Sequence, residues 1–411
     1  MVGTEVSTPP ARGTRPRNRR ELIITAAREL FYRDGYTNVA MNDIALAVNI
    51  GPSALYRHFR GKQELLYAVV AEALESCLGG LAAARLGDLD SLVKAFAATS
   101  LARRELGVLW QREARNLPAE QRTELGENLS ASRRALVGQL TASRPQLDPV
   151  HAELLAWSIL DVAASISYQH VDLPEPDYLN LVENLMRCVA TAQLPELGLP
   201  VDDRPRTDHA PVLRTRRESL LATATRLFAE NGYAAVSLED TGTVVGIAGP
   251  SIYNYFSSKH EILWTAMNRS SERLWLDLAE VFETAQDHTD ALRLLVSRYA
   301  QFALAHPHLV TLIVTETEHL QDEQRQRVLQ TQRDYIEEWL DLLRVIHPAM
   351  SRAQARVRVQ AVLTIVNDIA RTPRLRTRPG IAENLQRLGC SLLELQRRPR
   401  QSFTGVRSTA G

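Results

Sequence analysis

Residues 27–66 read ARELFYRDGYTNVAMNDIALAVNIGPSALYRHFRGKQELL, and residues 224–263 read ATRLFAENGYAAVSLEDTGTVVGIAGPSIYNYFSSKHEIL. The correspondence extends without an insertion over 19–66 and 216–263. Arg20, Gly35, Tyr36, Asp43, Tyr56, Phe59, Lys62 and Glu64 recur in register as Arg217, Gly232, Tyr233, Asp240, Tyr253, Phe256, Lys259 and Glu261. One chain carries two copies of one module.

Each copy reads as helical. Ile23, Ala26, Ala27, Leu30 and Phe31 follow the i, i+3, i+4, i+7, i+8 spacing of one helix face, and Leu220, Thr223, Ala224, Leu227 and Phe228 repeat it. Gly35 and Gly232 stand where a left-handed C-cap is wanted. A second short helix is expected over 41–48 and 238–245, stopped by Asn49 or Gly246, residue types that tolerate left-handed backbone. A third begins at Pro52 or Ser53 and at Gly249 or Pro250, and buries Leu55 with Phe59 and Ile252 with Phe256; a fourth starts near Lys62 and Lys259. The second helix differs between copies. Ala40 stands where a capping hydroxyl is expected, whereas Ser237 with Asp240 approximates a capping box. Gly242 should loosen its helix by roughly 1 kcal/mol.

The duplication reaches beyond the module. Glu113, Leu117, Gln121 and Arg122 correspond to Glu316, Leu320, Gln324 and Arg325, and Glu183-Asn184-Leu185 to Glu383-Asn384-Leu385. The division expected is a basic arm over 1–18, a helix-turn-helix module over 19–66, a helical domain over 67–194, a linker over 195–211, a second module over 212–263, a second helical domain over 264–397 and a tail over 398–411. The linker contains four prolines and no periodicity, and extended it would reach roughly 50 Å.

Across 411 residues, 48 Lys and Arg balance 48 Asp and Glu, which excludes a globally polycationic binder but not local basic patches. Residues 1–62 hold ten basic against five acidic residues, and 204–259 seven against five. Lysine occurs only at 62, 94 and 259, so two of the three lysines share one repeat position, which suggests a role for a compact ammonium there. Cys77, Cys188 and Cys390 form neither a disulfide framework nor a metal pair and fit a reducing compartment. The longest apolar run, Leu154 to Tyr168, is interrupted by Asp161 and reads as too short for a bilayer. A soluble cytoplasmic protein is expected.

Helix, glycine stop, short helix, tight turn and short helix make a three-helix module with a helix-turn-helix inside it. Apart from Leu55 and Phe59, its third helix shows Ser53, Ala54, Tyr56, Arg57 and His58: small groups for close approach, a phenol for phosphate and a guanidinium fork for guanine or phosphate. A polar stripe alone would be a solvated face. Its repetition in register, each time after a basic segment, points to DNA.

Both quoted stretches resemble the N-terminal DNA-binding domain of the TetR family of bacterial regulators. The resemblance implies an all-α fold of two tandem halves, each a three-helix DNA-binding domain followed by a helical domain that forms an inducer pocket and pairs through its last two long helices. Two copies in one chain are also similar in architecture to single-chain actinobacterial regulators. Carried over by position, the family's base and phosphate contacts fall on Asn42, Ser53, Ala54, Tyr56, Arg57, His58 and Lys62. In the second copy they fall on Glu239, Pro250, Ser251, Tyr253, Asn254, Tyr255 and Lys259. The copies diverge where bases would be read: Glu239 stands for Asn42, Asn254 for Arg57 and Tyr255 for His58, so a single palindrome is an unfavourable target.

Enzymatic constellations fail on inspection. Gly61-Lys62 lacks the first glycine and the hydroxyl of a phosphate loop, and His306 and His308 flank Pro307 as loop residues without a partner pair. Asp161 and Asp368 are acids inside apolar helical runs, where an unpaired charge is costly, and can either orient a ligand or pair across a helix interface; the interface is favoured. Trp110 and Trp157 are candidate pocket residues beside Tyr168, Trp275, Tyr299 and Trp339, although aromatics at helical spacing also build ordinary cores. The expected protein is a DNA-binding regulator, a repressor released by a small apolar molecule, with no cofactor, metal or membrane partner. Its two halves would pair within the chain and could form a higher oligomer on DNA. The second reading is an interaction scaffold whose heads no longer bind DNA specifically.

Overall fold

The computed structural model describes residues 18–169, 171–199, 215–247 and 249–395, without the side chains of Gly249 and Pro250. All of the basic arm but its last residue, most of the linker and the tail lie outside the described residues. Every element among those described is helical.

The first half runs α1 (Arg19–Asp34), α2 (Met41–Ala47), α3 (Pro52–Leu55), α4 (Lys62–Ala82), α5 (Leu89–Ala102), α6 (Leu106–Gln111), a 3-10 turn (Glu113–Asn116), α7 (Ala119–Ser143), α8 (Pro149–Ser165), extended by a 3-10 turn to Tyr168, and α9 (Glu175–Ala190). The second runs α10 (Arg216–Asn231), α11 (Leu238–Val244), α12 (Gly249–Ile252), α13 (Lys259–Thr284), α14 (His288–Ala305), α15 (Pro307–Thr315), a 3-10 turn (Thr317–His319), α16 (Asp322–Ile346), α17 (Arg352–Arg371), α18 (Pro373–Arg376) and α19 (Ile381–Leu392).

The spacing read as a buried face buries one: Ile23, Ala27 and Phe31 are fully covered in the first head, as are Leu220, Ala224 and Phe228 in the second. Gly35 and Gly232 end the first helices at φ 81°, ψ 148° and φ 86°, ψ 143°. The expected left-handed cap is therefore an extended turn with positive φ, open essentially to glycine alone. Each glycine N–H still donates to the phenylalanine carbonyl four residues back, at 3.1 and 2.9 Å. Asn49, at φ 54°, and Gly246, at φ 70°, turn the chain after α2 and α11.

Heads and larger domains have separate cores within each half, but the two larger domains share one. α8 packs on α17 and α9 on α19, so Leu155, Ile159 and Val162 join one apolar cluster with Val359, Val362 and Val366. The helix from Pro149 to Tyr168 spans 20 residues and, like α4, is long and apolar enough to cross a membrane, which corrects the length argument from sequence. Its apolar surface is taken up by α7, α9 and α17. The start of the linker is docked rather than free. Pro195 O lies 2.8 Å from His151 Nε2 and accepts from Asn384 Nδ2 at 3.1 Å, and Gly198 N donates to Pro379 O at 3.0 Å.

Candidate nucleic-acid interface

The residues repeated between the heads build them. Lys62 Nζ donates to Tyr36 O at 2.7 Å and Val39 O at 2.8 Å and sits 4.1 Å from the centre of the Tyr36 ring. Lys259 does the same, to Tyr233 O at 2.9 Å and Val236 O at 3.1 Å, 4.3 Å from the Tyr233 ring. Burial pushes both ammonium groups below the usual lysine range, with Glu113 and Glu316 pulling the other way. Two of three donors on each lysine are thus spent inside the head, where the compact ammonium staples the fourth helix to the turn before the second. Glu64 and Glu261 accept the backbone N–H of Arg60 and Ser257, and Arg20 and Arg217 lie over the rings of Phe59 and Phe256.

At the second helices, Ser237 Oγ accepts from Asp240 N at 3.0 Å while Asp240 Oδ2 accepts from Ser237 N at 2.8 Å. In the first head only the carboxylate half of that box exists, Ala40 N donating to Asp43 Oδ2 at 2.8 Å, because alanine offers no acceptor. Gly242, whose helix-loosening cost is read from sequence, also has a packing role. It lets Ile252 rest directly against the backbone of α11.

The residues that differ between copies face outward. Asn42, Ser53, Tyr56, Arg57 and His58 are exposed and Ala54 half-buried; Glu239, Ser251, Tyr253 and Asn254 are exposed and Tyr255 half-buried against the head core. The Pro250 side chain lies outside the described residues. The reading segments are short, one helical turn followed by a looser one: His58 N and Phe59 N both donate to Leu55 O, and Tyr255 N and Phe256 N to Ile252 O. Tyr253 is engaged within its own head. Its hydroxyl donates to Glu239 Oε1 at 3.1 Å, and that bond raises the phenol's pKa above its usual range.

Each head hangs from a buried glutamate of the domain behind it. Glu113 accepts from Tyr36 N at 2.9 Å and Glu316 from Tyr233 N at 3.4 Å. The correspondence of Glu113 with Glu316 was visible in the sequence, but its use was not. Arg115 of the first half pairs with Glu316 of the second and also donates to the Thr315 hydroxyl.

A cavity of about 530 Å³ lies in the second half, within the usual range for small-molecule sites. Its apolar walls include Leu274, Trp275, Phe302, Val310, Ile336 and Leu363, and it reaches Asp368. Of the pocket residues expected, Tyr168, Trp275, Tyr299 and Asp368 line it, whereas Trp110, Trp157, Asp161 and Trp339 do not. Trp110 packs on the first head's core, and Trp157 on the core of the larger domains, with the Arg133 guanidinium 5.9 Å from its ring. Asp161 faces Asp368 across the α8–α17 contact. Gln111 Nε2 donates to Asp368 and Arg371 Nη1 donates to it at 3.1 Å, so the acids meet at the interface and only one also borders the cavity. His308, read as a loop residue, lies in the first turn of α15.

Residues 23–69 and 220–264 each match the family described as bacterial regulatory proteins, tetR family, and residues 285–371 match the tetracyclin repressor-like C-terminal domain. The HTH-type transcriptional repressor NicS of Pseudomonas putida is 29% identical over 110 residues, 25% of this chain and 49% of that protein. The HTH-type transcriptional activator FasR of Mycolicibacterium smegmatis is 29% identical over 87 residues, 21% of this chain and 40% of that protein. The chain thus spans about half or less of the length of these curated relatives. Among solved structures, the TetR family transcriptional regulator PfmR from Thermus thermophilus aligns with a TM-score of 0.39 at 22% identity, covering 46% of this chain and all of that one. The ketosteroid transcriptional regulator KstR2 of Mycobacterium tuberculosis aligns at 0.36 and 18% identity, covering 44% and 95%. With a tetR-type head matched in both copies and a tetracyclin repressor-like domain in the second half, the chain belongs to the TetR family of bacterial regulatory proteins.

Proposed function

We propose that the chain is a sequence-specific, DNA-binding transcriptional regulator of the cytoplasm, a repressor released when a small apolar molecule enters the cavity of the second half. Its halves pair within one chain, and its heads read two unlike half-sites. The observation that carries this reading is the division of labour in the repeat: shared residues hold each head together, while the exposed pairs Asn42/Glu239 and Arg57/Asn254, and the exposed His58 against a half-buried Tyr255, differ. The arginine fork suits guanine and the asparagine adenine. The α8–α17 and α9–α19 contacts and the cluster they share support pairing inside the chain.

Selection from random DNA, followed by sedimentation of the selected complex, tests this reading. The expected result is one short site with two unlike halves, bound by a protein that sediments as a monomer when free. A palindrome as the tightest site for a single chain would refute the asymmetric operator. A free dimer through α8, α9, α17 and α19 between chains would refute internal pairing.

The Glu239–Tyr253 bond favours one second reading, in which the second head contributes only weak, unspecific contact and the chain acts in part as a scaffold. Purely salt-sensitive binding with no enriched sequence would support it.

A further inference from the structure

The proposed effector cavity is walled by a head, and it is the other half's head. Arg33, Asp34, Gly35 and Asn38 of the first head border it, together with Gln111 and Arg112; among the described residues no lining residue comes from the second head, 216–258.

The segment after α15, also part of the cavity wall, touches both heads unequally. Counting from the Glu113–Glu316 correspondence, position 115 of the first half matches 318 of the second, and each side chain crosses to the opposite head's glycine turn. A Cβ on Gly232 would lie 3.7 Å from Arg115 Nη2, and one on Gly35 would lie 3.9 Å from both Glu318 Oε2 and Glu113 Oε1. The residue types are opposite in charge. Arg115 pairs with Glu316, the acid that holds the second head, and donates to Ala229 O at 3.5 Å. Glu318 instead confronts Glu113, the acid that holds the first head; Arg112 pairs with Glu113 and relieves part of the repulsion. Burial, then Glu113, pushes the Glu318 carboxyl up to about 6.

We propose that occupation of the second half's cavity releases the first head, through Glu318 at the Gly35 turn, while Arg115 keeps the second head fixed. The inference rests on the cavity being the effector site. A competing route exists because α15 packs on α10, which would pass the signal to the second head.

Filling the cavity by substitution tests the coupling without an effector, so failure to find a releasing molecule and failure of this inference remain distinct. Leu274→Trp and Ile336→Trp enter from different helices, and a blue-shifted tryptophan emission reports that the cavity is filled. Amide exchange in the full chain should accelerate about threefold or more over 34–39 and stay within about 1.5-fold of wild type over 231–236. Adding Glu318→Arg, the residue type at position 115, should return 34–39 to the wild-type rate. Glu318→Arg alone should slow exchange there about threefold, which keeps the test intact if neither tryptophan variant folds. Acceleration confined to 231–236, equal acceleration at both turns, no change with a filled cavity, or an unaltered 34–39 rate in the Glu318→Arg variant would each overturn the proposal.

Discussion

Ile252 Cδ1 stands 2.2 Å from the point that a Cβ on Gly242 would occupy, with Ile252 Cγ1 at 2.8 Å and Ile247 O at 3.0 Å. The corresponding residues of the first head are Ala45 and Leu55, both buried in its apolar core. A small residue faces a β-branched one in the second head, where the first has a methyl and a slimmer chain. Gly242→Ala should therefore destabilise the second head by about 1–3 kcal/mol through overpacking, despite the better helix propensity of alanine. Gly242→Ala combined with Ile252→Leu should recover most of that loss. Denaturant unfolding with amide exchange over 238–256 measures both; a single variant as stable as wild type would show the contact to be soft.

Removal of either staple lysine should act on folding before it acts on DNA. Lys62→Met or Lys259→Met breaks two bonds from a charged donor, at an expected cost of about 1.5–3 kcal/mol to its own head. Exchange should rise in the turn at 36–39 or 233–236 respectively. If stability is unchanged and only the salt slope of DNA binding falls by about one, the ammonium is a phosphate ligand after all.

Opposite effects are expected from substitutions on the two reading surfaces. Arg57→Ala should cost about 1–3 kcal/mol, concentrated at one base pair of a selected site. Glu239→Gln removes a negative charge from the DNA face and weakens the hold on Tyr253, so binding to unselected duplex should tighten and its salt dependence steepen. Binding titrations at several salt concentrations separate the two, and a uniform loss across sequences for Arg57→Ala would assign that residue to phosphate.

The Asp161–Asp368 pair predicts a pH effect with a definite sign. Burial first, then the facing Asp368, raises the Asp161 carboxyl well above its ordinary range, and burial raises Asp368 against the opposing pull of Arg371. A raised folded value means that the contribution to stability is complete below the unfolded carboxyl pKa and is lost as pH rises through the folded one. Asp161→Asn should stabilise the chain more at about pH 8 than at about pH 4, because the burial that raises the Asp161 carboxyl costs stability only as that group ionises. Thermal unfolding across that range gives the result; parallel curves for wild type and variant would contradict a raised Asp161 carboxyl.

What the sequence disclosed was governed by repetition. Gly35, Asp43, Lys62 and Glu64 recur because each closes a backbone bond or turn that any copy of the head requires, so reading the chain against itself located the helices and the outward face. The inward bonds of the lysines were missed because repetition marks a constraint without saying whether it acts inward or outward. Their carbonyl partners, at 36 and 39, are backbone atoms and leave no trace in side-chain pattern. The cavity was hidden for a related reason: its walls come from several helices and from both halves, at positions with no shared spacing. Trp275 and Tyr299 are as aromatic as Trp110 and Trp157, and only packing distinguishes a cavity wall from a filled core. The acid pair was legible because a carboxylate in an apolar helix needs a partner wherever the fold puts it.

The cluster shared by α8, α9, α17 and α19 belongs to one polypeptide, so the internal pairing proposed above makes its assembly a unimolecular event. A two-headed reader assembled from separate subunits is diluted apart when scarce, and its active concentration then varies with the square of the subunit concentration. Here the second head is always present at the effective concentration set by the tether. Occupancy of a site would then follow the first power of chain number, and a cell holding only a few copies would retain fully assembled readers.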